Sequence, residues 1–71
     1  MKLYELANVS RNCYLHLVDI THYPGVDCGE VNAEFFTEVG DVQKYKDYEV
    51  KSIYTNEGKD PDTLRVEISE K

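Results

Sequence analysis

The chain has no tryptophan, one methionine, two prolines and two cysteines, Cys13 and Cys28. Two cysteines fall short of the dense disulfide frameworks that hold small secreted domains together. Both thiols are therefore expected reduced, with the cytoplasm as the compartment. No apolar run approaches the roughly 20 residues a spanning helix needs. Residues 1–8 carry an acid at Glu5 and no long apolar stretch, so they do not read as a signal peptide. None of the four glycines sits in a phosphate-cradling pattern such as Gly-x-Gly-x-x-Gly or Gly-Lys-Ser/Thr.

The most informative absence is regional. Residues 12–43 contain no lysine and no arginine, yet they hold six acids: Asp19, Asp27, Glu30, Glu34, Glu38 and Asp41. The other segments hold eight acids and eight bases, so the whole net charge of −6 lies in the middle of the chain. A phosphate-binding surface is disfavoured by this balance, and so is nucleic acid as a partner.

What is present fits one small domain spanning residues 1–71, because a core cannot be divided twice at this length. Hydrophobic residues make up 41% and include six tyrosines, which implies a thin core and makes self-association a reading to carry forward. Residues 63–69 alternate strictly: Leu64, Val66 and Ile68 on one face, Arg65, Glu67 and Ser69 on the other. That pattern marks a strand on a sheet with one wet face. Residues 48–55 are β-branched and aromatic, and the Gly- and Pro-containing residues 56–62 join the two as a hairpin.

Residues 13–20 are apolar on both faces, which suits a central strand. Residues 31–39 alternate, with Val31, Ala33, Phe35 and Val39 inward and Asn32, Glu34, Phe36 and Glu38 outward. Residues 21–29 form the loop between them, turning at Pro24–Gly25. Leu3, Leu6 and Ala7 recur at helical spacing within residues 2–9, and Asp41 reads as the N-cap of a helical turn through residues 42–46. The expected fold is α+β: an antiparallel four-stranded sheet with a short N-terminal helix and a helical turn.

Leu3-Tyr4-Glu5-Leu6, Asp47-Tyr48-Glu49-Val50-Lys51-Ser52-Ile53-Tyr54 and Leu64-Arg65-Val66-Glu67-Ile68 carry a resemblance. A leading helix followed by these two strands resembles small uncharacterised proteins of phages and mobile elements. The likeness covers about half of the chain, in pieces, and residues 21–29 depart from the more compact family pattern. It carries over no functional residue. It implies a context in which short proteins bind and block a host protein.

Several constellations could carry chemistry. Cys13, His16, His22 and Cys28 supply the ligand count of a zinc site. Their spacing matches no common structural site, and Cys13 and His16 would point to opposite faces of one strand. Cys28 and His22 share a loop but lack an orienting third group and an oxyanion site. Glu57, Asp60 and Asp62 cluster without the alternating acids and closing Glu of a calcium loop. Tyr45 and Tyr48, among Lys44, Lys46 and Lys51, could stack bases, but beside so acidic a segment they read as caps on the core edge. Neither an enzyme nor a cofactor is expected.

The surface singled out at this level is the outward face of residues 31–39, Asn32, Glu34, Phe36 and Glu38: either residues 21–29, a helix or a second subunit cover Phe36, or Phe36 anchors a contact for which Glu34 and Glu38 select a basic partner. The function expected is a small acidic protein-binding module, of the phage or mobile-element modulator kind, acting on a basic host protein surface. It should then gather its six mid-chain acids on one face. The alternative is a structural or assembly protein working as a homodimer or larger homo-oligomer, with a Cys/His metal site as a third reading. No membrane partner is expected.

Overall fold

A computed structural model describes residues 1–38, 40–55 and 62–71. The elements run in the order α1 (Leu3–Val9), β1 (Tyr14–Asp19), β2 (Val26–Asn32), a 3-10 helix (Ala33–Glu38), α2 (Gly40–Gln43), β3 (Glu49–Thr55) and β4 (Thr63–Ser69). The strands form one sheet in the order β2-β1-β4-β3. The class is α+β, as the sequence implies.

The expectation of an all-antiparallel sheet is corrected: the sheet is mixed. β1–β2 and β3–β4 pair antiparallel, but β1 and β4 pair parallel at the centre. Local turn chemistry specifies each hairpin, whereas the seam between hairpins is a long-range choice made by burial. The most apolar strand of each pair meets the other in register, Leu15 opposite Leu64 and Leu17 opposite Val66. Leu15, Leu17, Val66 and Ile68 are thereby fully buried.

A layer of α1, the 3-10 helix and α2 covers one face of the sheet. Leu3, Leu6 and Ala7 of α1 enter the core as the helical spacing predicts. A helix of two turns cannot support itself, and tertiary bonds hold its start. The Leu3 and Tyr4 N–H groups donate to the Tyr48 and Lys46 carbonyls at 2.9 and 3.0 Å, and the Lys2 N–H donates to Glu5 Oε1 at 2.8 Å. At the other end the Ser10 hydroxyl donates to the Leu6 carbonyl at 2.7 Å.

The strand expected over residues 31–39 ends at Asn32 and gives way to the 3-10 helix. Asn32 Oδ1 accepts the Glu34 N–H at 3.0 Å, offering the chain a local alternative to the ladder. In a 3-10 helix residues three apart share a face, so Ala33 and Phe36 turn inward together. Phe36 is 3% exposed and Phe35 49%, the reverse of the strand assignment. Val39, also assigned inward, lies outside the described residues.

β2 also begins earlier than expected, taking up half of the segment read as a loop. A bulge between Leu17 and Val18 of the β1 register absorbs the extra residue, with Gly29 at φ 95° in the left-handed region. The Pro24–Gly25 turn sits where expected. It folds back onto the sheet so closely that a Cβ on Gly25 would lie 3.0 Å from Val18 Cγ1. α2 starts at Gly40, which places Asp41 within the helix rather than at its cap. The hairpin of β3 and β4 forms, while its connection at residues 56–61 lies outside the described residues, as do Glu57 and Asp60 of the considered calcium loop. No described helix is long and apolar enough to cross a membrane.

Candidate interaction face

Among the described residues the second face of the sheet is open, apart from the end where the 20–25 turn covers Val18. Cross-strand register lays its side chains in rows. Tyr54 of β3, Arg65 of β4, His16 of β1 and Glu30 of β2 form one row, and Ser52, Glu67, Val18 and Asp27 form the next. Tyr14 stands beside the first row. Tyr14 and Tyr54 are 43% and 50% exposed, large apolar rings on a face with three carboxylates and one guanidinium.

The electrostatics of this face are locally arranged. His16 Nε2 and Asp27 Oδ2 lie 2.9 Å apart, and Asp27 Oδ1 accepts the Gly29 N–H at 2.8 Å. The Gly29 N–H, and after it His16, hold the Asp27 carboxyl below the usual carboxylate range. One side chain thus pins the bulge and keeps a negative charge on the open face. Arg65 approaches Glu67 on its own strand at 3.5 Å, a loose pair that leaves the guanidinium largely available.

The residues favoured from the sequence do not assemble into a face. Asn32 is spent on starting the 3-10 helix, and Glu34 Oε1 accepts the Asn12 N–H at 3.4 Å. Glu38 is exposed at the end of that helix, and Phe36 is in the core. Nor do the mid-chain acids gather on one side. Asp19 is bound by the Thr21 N–H and hydroxyl at 2.9 and 2.5 Å, Asp27 and Glu30 lie on the open face, and Glu34 is tied to Asn12. Sequence reasoning missed Tyr14, His16 and Tyr54 as surface residues. The signal for Tyr14 and His16 was parity: even positions of residues 14–18 share the side opposite Leu15 and Leu17.

The Cys/His set likewise does not converge. Cys13 and Cys28 pack against the core, while His16 is engaged with Asp27 on the opposite face. Among the described residues no three His, Cys, Asp or Glu side chains are grouped to hold a metal ion.

Two further features complete the surface. At the sheet end Tyr45 and Tyr48 meet edge to face, ring centroids 5.1 Å apart, both packed against the core as the core-edge reading anticipated. The Tyr48 hydroxyl donates to Glu70 Oε1 at 2.9 Å, and that bond pushes its pKa up to about 12. Cys28, with burial, pushes Tyr45 to about 12 as well. On the helical side an open cleft of about 420 Å³ is lined by Tyr4, Asn8, Phe36, Lys46 and Asp47 among others.

Comparison with known proteins adds no assignment to this geometry: neither a family model, nor a curated protein, nor a solved structure is similar enough to this chain to count as a match.

Proposed function

We infer that the chain is a protein-binding module that engages a basic surface of its partner through the open face of the sheet. The observation that carries this is the composition of that face. Asp27, Glu30 and Glu67 outnumber Arg65, and Tyr14 and Tyr54 supply rigid, half-exposed rings of the kind that anchor interfaces. The contact is electrostatically selected and aromatically anchored, with the β1–β2 hairpin tip, where Tyr23 is fully exposed, at its border. The resemblance to phage and mobile-element proteins gives the reading its setting, a cytoplasmic modulator that occupies a host protein.

The test is capture of a bacterial partner by tagged protein at low and moderate salt. Wild type is compared with Asp27→Asn/Tyr54→Ala on the open face and with Glu34→Gln/Glu38→Gln away from it. A partner retained by wild type and by the second variant, but lost from a folded first variant, supports the reading. Equal loss from both, or retention by both, refutes it.

Self-association is the second reading: among the described residues the outer edge of β2 is uncovered, although a β2–β2 pair would set the acids Asp27 and Glu30 against like charges. Among the described residues that edge bears no backbone hydrogen bond to another element, and uncovered edges pair with other chains. Sedimentation across a wide concentration range decides it, a concentration-dependent dimer being the positive result.

A further inference from the structure

The two edges of the sheet are not equivalent. The start of the β3 edge is occupied: Lys2 bridges to Glu49, the Val50 N–H donates to the Met1 carbonyl at 2.9 Å, and Lys2 Nζ lies 2.8 Å from Glu49 Oε1. Among the described residues β2 has no such cover. In an antiparallel ladder bonded and non-bonded pairs alternate. The Ala33 N–H donates to the Cys13 carbonyl at 3.1 Å, so the pairs Asn32–Tyr14 and Glu30–His16 are the non-bonded ones. The N–H groups of Glu30 and Asn32, and the Glu30 carbonyl, therefore point away from β1 along the free edge.

The charges on this edge decide what can pair with it. β2 carries Asp27 and Glu30 with no basic residue, and Glu34 follows in the next turn. A second β2 laid alongside would bring like charges together, which destabilises cross-strand pairs. A strand with Lys or Arg on alternate positions would instead set a cation beside Glu30 on the open face. The bulge at Gly29 bends β2 and interrupts regular pairing there, which confines the usable ladder to the Gly29–Asn32 end.

We propose that the β2 edge receives an extended, basic segment of a partner protein by strand addition, with Glu30 and Asn32 supplying the backbone bonds and Glu30 the charge selection. This rests on the protein-binding reading above and specifies its mode.

The probes are short peptides alternating lysine with threonine, the same peptides with glutamate for lysine, and the basic peptides N-methylated at alternate residues to remove ladder donors. Amide exchange and amide chemical shifts are followed at peptide concentrations up to about 1 mM, the weak end of specific recognition. The basic peptide is expected to slow exchange at Glu30 and Asn32 by about tenfold at about 1 mM, the protection that roughly 90% occupancy and a Kd of about 0.1 mM give. The N-methylated peptide should lose this protection. In Glu30→Lys, an exposed position that the fold does not depend on, the acidic peptide should protect Asn32 and the basic one should not.

Shifts confined to Tyr54, Arg65 and Tyr14 without protection on β2 would overturn strand addition and leave the open-face reading standing. Absence of any effect from all three peptides would also overturn it. The capture experiment fails or succeeds separately, because its variants leave Glu30 and Asn32, which carry the edge groups of β2, unchanged.

Discussion

Phe35 and Phe36 are adjacent, identical in chemistry, and opposite in fate. Phe36 fills the space beneath α1, so Phe36→Ala is expected to cost about 3–5 kcal/mol, the range for deleting a buried aromatic. Phe35→Ala should cost less than about 1 kcal/mol, as half-exposed substitutions do. Urea denaturation of the two variants checks the pair, and equal losses would contradict the 3-10 assignment. Tyr48 makes a pH-dependent statement. Its bond to Glu70 raises the phenol from its ordinary 10 to about 12. A group held in its protonated form by folding contributes stability fully below pH 10 and loses it as pH climbs through 12. Tyr48→Phe should therefore have a shallower alkaline decline in denaturation free energy between those values, with the remainder from Tyr45. An unchanged slope would show that the bond to Glu70 is not its source.

At the scale of elements, the helix over residues 2–9 and the strand at residues 63–69 were legible from their periods, the strand at residues 48–55 from its β-branched and aromatic content, and that at residues 13–20 from its apolar run. Residues 31–38 were not. Val31, Ala33 and Phe35 satisfy a period of two, while Ala33 and Phe36 satisfy a period of three. The side chain of Asn32 settles the competition by accepting the Glu34 N–H. The extension of β2 back to Val26 was hidden behind Pro24 and Gly25, whose turn signal is strong enough to mask a strand beginning at once after it. Gly29 is the backbone device there. No atom lies within 4 Å of a Cβ built on it, so Gly29→Ala tests conformation alone and is expected to cost about 1–2 kcal/mol for an L-residue in the left-handed region. Gly40, equally open but without a positive φ, is the control. Gly40→Ala should stabilise by up to about 1 kcal/mol, and a matching loss at both positions would remove the bulge from the explanation.

At the scale of the whole molecule, the core is one-sided. Three short helical pieces shield one face of the sheet, and the other face carries tyrosines and charges. A domain so built leaves a broad surface free for a partner without unfolding anything. That arrangement underlies the protein-binding proposal, as the unequal sheet edges underlie strand addition. The acidic middle of the chain does not act as a unit. Folding divides it, sending Asp27 and Glu30 to the open face, binding Asp19 to Thr21 and tying Glu34 to the distant Asn12 N–H.

The amino-acid sequence by itself determined what local period and composition can determine: an α+β domain, the leading helix, the β3–β4 hairpin, the core face of Leu64, Val66 and Ile68, and the excess of negative charge. These follow from neighbours within a few residues, whose burial preferences agree. Tertiary structure alone decided the parallel joining of β1 to β4 and the gathering of Tyr14, His16, Tyr54 and Arg65 on one face. Each of those depends on which distant strands share a sheet. No local pattern records that choice, because it is made by the burial the whole chain can achieve at once.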